Sequence, residues 1–257
     1  MTVHKSVDDA VSAWRGAMEI LCNLLPDGIV HRGAHGTYAL TTGVPMAALN
    51  GVFSLGRQPD LREIDAFAAF FSDRTLPWSI QIRSEASRDA LVEIANRYGL
   101  TRSYPIPFMT RRLEGVKLSI PASTDVTVRR ISKDEYRIYR HAVTAGFGTP
   151  KHIFVDLTRP EVIGEKGMSA YLVEEAGTPV ATSFGALMDG CIGVFNVSTV
   201  PGRRRRGYAR MATMAVLQHG QENGAQTAFL HSSPAGYRAY ESLGFETGET
   251  WQVFVAP

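Results

Sequence analysis

Val197-Ser198-Thr199-Val200-Pro201-Gly202-Arg203-Arg204-Arg205-Arg206-Gly207-Tyr208-Ala209 is the stretch whose reading decides the fold of this chain. A β-branched run ends at a proline. A glycine, four arginines, a second glycine and a small residue follow. Beyond them, residues 211–218 have the spacing of a helix. The order is a strand, a tight basic turn and a helix N-terminus. Such a turn aims several backbone N–H groups at one point, and the helix dipole favours negative charge there. The glycine permits close approach of the backbone. The sequence therefore marks a place for an anion, and a phosphate group fits it.

The rest of the chain sets the frame. At 257 residues the protein is one large domain or two small ones. A chain of this size buries roughly 70–75% of its unfolded surface, so a full core needs no covalent staples. A formal net charge of +2 creates no global field that would recruit nucleic acid or a membrane. Cys22 and Cys191 read as small apolar side chains, not as a bridge. No signal-like start and no apolar run of about 18 residues is visible. The expectation is a cytoplasmic protein without membrane or nucleic-acid partners. His4, His31 and His35 lack metal-ligand spacing, so no metal is expected. Neither a G-x-S-x-G stretch nor a cysteine–histidine pairing points to a hydrolase.

Periodicity divides the chain into two similar halves. In the first, Ser6 reads as the N-cap of a helix, short strands follow, and a helix over 61–71 precedes a strand over 77–83. A helix over 87–98 stopped by Gly99 and a long strand over 101–113 complete it. Residues 114–125 read as a linker. The second half repeats the order. Ser132 and Glu135 form a capping-box pattern, strands occupy 169–174, 180–188 and 191–200, and the basic turn and its helix follow. A strand over 227–231, a helix over 234–243 and a strand over 245–255 close the chain. The match is one of pattern, not of residue identity, and predicts an internal duplication. The first half has Leu55-Gly56-Arg57-Gln58-Pro59-Asp60 where the second has its arginines. Only the second copy keeps the anion turn.

Pro201 to Ala209 fits P-x-x-R-x-x-G-x-A, with Arg204, Gly207 and Ala209 as the spaced members. A second motif follows at Ser233-Pro234-Ala235-Gly236-Tyr237-Arg238-Ala239-Tyr240-Glu241-Ser242-Leu243-Gly244-Phe245. Together they resemble the acyl-CoA pyrophosphate loop and closing helix of the GCN5-related N-acetyltransferases (GNAT). The close resemblance runs from about Val126 to the C-terminus. The whole chain is similar to tandem members with a degenerate N-terminal copy. The resemblance implies an α/β (α+β) tandem fold with two mixed central sheets flanked by helices. It divides the chain into a degenerate domain over 1–115 and an acetyltransferase domain over 124–257.

The resemblance also implies roles. Acetyl-CoA would be co-substrate, and a small amine the acceptor. Val197, Thr199 and Val200 would offer strand backbone to pantetheine where their strand splays from 227–231. Arg204, Arg205, Arg206, Gly207, Tyr208, Ala209 and Arg210 would hold the pyrophosphate, and Ser233 would stand where the family often has an asparagine. Tyr240 matches the tyrosine near the thioester sulfur, and its ordinary pKa near 10 suits an acid. The family often has a strand glutamate as base, and 191–200 holds none. His231 is the first candidate in its place, with Glu174, Glu175 and a water relay as others. The missing glutamate leaves a catalytically inactive CoA-binding sensor as the alternative. A monomer or a homodimer is expected.

Overall fold

The computed structural model describes residues 3–83, 88–120 and 124–257. The expected helix start at Ser87, Pro121 in the expected linker and the side chain of His4 lie outside the described residues. The order is α1 (Val3–Leu24), β1 (Ile29–Arg32), β2 (Thr37–Thr41), β3 (Asn50–Ser54), α2 (Leu61–Ser72), β4 (Ser79–Ile82), α3 (Arg88–Arg97) and β5 (Arg102–Arg112). Then come β6 (Val126–Arg130), α4 (Tyr136–Phe147), α5 (Pro160–Ile163), β7 (Met168–Glu175), β8 (Thr178–Met188) and β9 (Cys191–Thr199). The chain ends with α6 (Tyr208–Glu222), β10 (Thr227–His231), α7 (Tyr237–Ser242) and β11 (Glu246–Val255).

Two expectations are corrected. The strands hydrogen-bond in one order, β1-β2-β3-β4-β11-β5-β10-β9-β8-β7-β6, not as two sheets. A single ladder leaves fewer unpaired edges than two would. Ser6 is not an N-cap, because α1 already starts at Val3; its hydroxyl meets that of Thr227 at 3.4 Å.

The compact units are not contiguous in sequence. One contains residues 1–17 and 109–246, the other 18–108 and 247–257. The division at the expected linker thus differs at both chain ends: the first turns of α1 join the later half, and most of β11 joins the earlier one.

In the unit of 18–108 and 247–257, β1, β2 and β3 are antiparallel, β3 and β4 parallel, and β4 and β11 antiparallel. Its core joins Val52, Ile64, Phe71, Ile80, Ile82, Leu91 and Phe254. Phe71 stacks on Trp78 at 5.4 Å. β3 and β4 stay paired to their ends, through Ser54↔Ile82, and Arg83 N–H continues the ladder to the Ser54 carbonyl. Asp60 caps α2 by accepting from the N–H groups of Arg62 and Glu63 at 2.9 and 3.0 Å. Arg83 is nearly enclosed, its side chain 5% exposed, and is bound by Glu249 at 2.7 Å.

In the unit of 1–17 and 109–246, β6, β7, β8 and β9 form an antiparallel meander. α6 returns the chain so that β10 runs parallel to β9. Ile192, Val194, Val216, Leu217, Leu230 and Phe245 fill the core between α6 and the sheet. The Ser132–Glu135 capping box forms as expected and opens the turn leading into α4. Gly148, at φ +66°, ends α4. Cys22 and Cys191 are both free and buried. Among the described residues no helix is long and apolar enough to cross a membrane.

Removing one partner of an enclosed ion pair strands the other charge. Glu249→Ala is expected to destabilise its unit by about 3–5 kcal/mol. Urea unfolding followed by tryptophan fluorescence checks this, and an unchanged midpoint would show that Arg83 is otherwise satisfied.

Candidate functional site

The site begins with a defect in β9. Thr182 pairs with Ser198 and Phe184 with Phe195, so Asn196 and Val197 together stand opposite Ser183. This is a β-bulge, and Asn196 adopts φ +49° within it. The Asn196 carbonyl accepts from the Thr182 hydroxyl at 2.8 Å. On the other edge, β9 pairs with β10 only from Cys191↔Thr227 to Gly193↔Phe229. Past that point the two parallel strands separate, as the sequence reading expects.

The basic turn lies at the open end of β9. Val200 N–H still bonds to the Val180 carbonyl at 2.9 Å, so it belongs to the β8 ladder and offers no free donor. A short 3-10 turn covers Pro201–Arg203. Arg205 then takes φ +62° and Gly207 φ +84°, and α6 starts at Tyr208. Left-handed residues alternating with ordinary ones curl successive N–H groups into one concavity. Among the described residues none of the backbone N–H groups from Arg205 to Arg210 finds an acceptor, the first return bond being Met211 N–H to Gly207 carbonyl at 3.0 Å. The N–H groups of Tyr208, Ala209 and Arg210, in the first turn of α6, point out of the helix end where its dipole is positive.

Three of the four arginines, and Arg210 beyond them, bond to the surrounding protein. Arg204 reaches back to the Thr199 and Gly146 carbonyls at 3.2 and 3.1 Å. Arg203 and Arg206 both pair with Glu175 at the end of β7. The Tyr208 hydroxyl donates to the same carboxylate at 2.5 Å. That bond, and after it the two arginines, holds the Glu175 carboxyl below the usual carboxylate range. Arg210 bonds to the Ser242 carbonyl at 3.2 Å and so ties α6 to α7. α4 packs tightly here, since a Cβ on Gly146 would come within 2.1 Å of the Ser198 hydroxyl.

These elements enclose a cavity of ≈ 540 Å³. Of the residues singled out in the sequence, Val197, Thr199, Arg204, Arg205, Gly207, Tyr208, Ala209, Arg210, Ser233 and Tyr240 line it. Val200, Arg206 and His231 do not. Ser233 accepts from the Gly236 N–H at 3.2 Å and shapes the turn before α7. Tyr240 stands edge-on to Phe245 with centroids 5.9 Å apart. Burial pushes its hydroxyl up to about 12. Gly146, Phe147, Ser198, Thr213, Ala235, Gly236, Ala239 and Leu243 complete the lining. The sequence reading named none of the eight as a cofactor-binding or catalytic residue, although Ser198, Ala235, Gly236, Ala239 and Leu243 lie within its two motifs. For Thr213 a signal existed, because it follows Ala209 by one helical turn and shares its face.

His231 is corrected as a base. It lies at the end of β10 outside the cavity, with its ring 6.0 Å from that of Trp14. Burial pushes its pKa down to about 3. An imidazole so acidic in its protonated form has little power to hold an ammonium proton near pH 7. Glu174 and Glu175 are corrected too: Glu174 is bound by Arg129 at 2.9 Å, and Glu175 by the basic turn.

The comparisons agree with this geometry. Residues 133–245 match the sequence model of the Acetyltransferase (GNAT) family. A GCN5-related N-acetyltransferase from Kribbella flavida shares the fold with a TM-score of 0.68 at 21% identity, over 95% of each chain. A functionally unknown conserved protein from Staphylococcus epidermidis gives 0.65 at 12% identity, covering 91% of this chain and 96% of its own. A Drosophila protein gives 0.63 at 14% identity, covering 96% and 88%. No curated protein matches the sequence. The family match covers residues 133–245, and the solved structures share the fold along nearly the whole chain.

A carboxylate with a lowered pKa contributes its tether above the ordinary value and loses it as the pH falls through the lowered one. Wild type and Glu175→Gln are therefore expected to differ by a constant amount above about pH 5, the wild type being more stable. The difference should shrink in acid. Urea midpoints measured across this range check it; a gap that persists undiminished below pH 3 or so would show that the carboxylate charge is not what holds the turn.

Proposed function

We propose that this protein is an acetyl-CoA-dependent N-acetyltransferase acting on a small amine. The observation that carries the reading is the run of six undonated N–H groups, Arg205 to Arg210, at the open end of two separating parallel strands. A diphosphate needs several convergent donors, and the pantetheine arm needs strand backbone without a neighbour. The site offers both, within one cavity. Val197 and Thr199 are the strand residues best placed for the arm, and Ser233 and Arg210 flank it. Arg204 braces the turn, and Arg206 contributes through its backbone N–H while its side chain is tied to Glu175.

In the proposed reaction the amine nitrogen attacks the thioester carbonyl carbon. The C–S bond breaks, and an amide and a free thiol result. The Tyr240 hydroxyl, protonated throughout the neutral range, gives its hydrogen bond or its proton to the departing sulfur. The proton lost by the amine passes to water, since His231, Glu174 and Glu175 are unsuited to receive it. A CoA-binding sensor without catalysis is the second reading, favoured by the lack of a carboxylate on the central part of β9.

The tandem organisation over 1–115 and 124–257 is part of the proposal. It is supported by the contrast between β3/β4, which are zipped to their ends with Asp60 capping the α2 N-terminus, and β9/β10, which lead to a helix N-terminus without a side-chain cap.

Tyr240→Phe is expected to lower kcat about 100-fold or more while the KM for acetyl-CoA changes little. Thiol release over a panel of amines measures this. Since burial sets the Tyr240 pKa near 12, the wild-type rate should show no loss from its ionisation below about pH 10. A protein that binds CoA yet releases no thiol with any amine would favour the sensor.

A further inference from the structure

Arg111 lies on β5 between Met109 and Leu113, which share its face and are both fully buried in the core with Leu243 and Phe245. An arginine in such an apolar stripe is ordinarily held by a carboxylate. Among the described residues Arg111 has no ion pair and no hydrogen-bond acceptor, and its Nη1 is buried without a partner. The nearby charge is instead a second cation. Burial, and after it the Arg210 guanidinium, pulls Arg111 below the usual arginine range. Both side chains meet the C-terminal end of α7. Arg210 Nη1 donates to the Ser242 carbonyl and hydroxyl, each at 3.2 Å. A Cβ on Gly244 would stand 3.5 Å from Arg111 Nε. Gly244 and Arg210 are exposed and Arg111 is half-buried, so solvent reaches the place. Two neighbouring guanidinium groups with no acid between them repel, and an anion that bridges them removes the cost.

We propose that Arg111 and Arg210 together hold a phosphate monoester. Such a group carries close to two negative charges and three acceptor oxygens at neutral pH, which matches two forked cations better than one carboxylate does. Arg210 also belongs to the anion turn and lines the cavity, so the pair adjoins the diphosphate position. CoA carries a monoester of this kind, the 3′-phosphate, on the ribose that bears its diphosphate. A separate phosphorylated small molecule offers the same chemistry. The pocket stands on its own residues, and its assignment to the 3′-phosphate rests on the acetyl-CoA reading.

The test pairs calorimetric titration with CoA and with dephospho-CoA, which lacks only the 3′-phosphate, and adds thermal melts in inorganic phosphate. The wild type should bind CoA at least about 10-fold tighter than dephospho-CoA, as expected for charge-assisted hydrogen bonds. Arg111→Met should abolish that preference, leave dephospho-CoA affinity unchanged and raise the Tm of the unliganded protein. Arg111→Lys keeps the charge and should keep part of the preference. Equal affinities for the two CoA forms, with a Tm that phosphate raises in the wild type and not in Arg111→Met, would assign the pocket to a separate phosphorylated ligand. A preference for CoA that survives intact in Arg111→Met overturns the proposal. So does a wild type with neither a preference nor a phosphate effect that depends on Arg111. If the wild type binds neither form of CoA, the acetyl-CoA reading fails, and the phosphate melts alone decide the pocket.

Discussion

The site depends on backbone donors left without acceptors. Peptide N–H groups are satisfied almost everywhere in folded proteins, and leaving one unpaired is costly unless water or a ligand takes it. This chain leaves six in succession, from Arg205 to Arg210, and then parts β9 from β10 so that strand edges face the same space. Each feature follows from local chemistry. The bulge at Asn196 and Val197 turns β9 aside after Phe195. Left-handed Arg205 and Gly207 curl the turn, and α6 begins with no side-chain cap at Gly207. A side-chain cap there would remove the anion site. The chain forgoes that local stabilisation and keeps the helix end open.

The surrounding contacts hold this open geometry in place. Four consecutive arginines would repel one another in an untethered turn. Glu175 takes two of them, Arg204 anchors on two carbonyls, and Arg210 spans to α7. The side chains are thus spent on shaping the turn, and the charge available to a ligand comes largely from backbone and helix dipole. Arg203, Arg204 and Arg206 each meet protein oxygens while staying partly or largely exposed.

Much of this was legible in the sequence, because glycine, proline and β-branched residues report backbone conformation directly. The β9–turn–α6 order, the capping box at Ser132 and the closing α7 were readable for that reason. Ten predicted residues, from Val197 to Tyr240, line the cavity. What was not legible depends on long-range packing. Gly146 and Phe147 reach the site only because α4 lies on β9. The burial that disables His231 comes partly from Trp14, more than two hundred residues earlier in the chain. The single sheet is another such case, since no local pattern states that β11 pairs with β4.

The two parallel strand pairs give an internal control on the argument. β3/β4 and β9/β10 are each joined through a helix that starts just past the first strand. In the first pair Ser54↔Ile82 and the Arg83 N–H carry the ladder to its end, and Asp60 supplies α2 with its own carboxylate. An intramolecular carboxylate at a helix N-terminus does what a phosphate would do, at far higher effective concentration. In the second pair the ladder stops at Gly193↔Phe229 and the helix end has no acid. The same local architecture is therefore closed in one case and open in the other. The difference lies in one capping aspartate, the continuation of a strand ladder and one bulge. On the proposed reading, ligand binding is a property of how the helix N-terminus is satisfied, and the fold alone does not confer it.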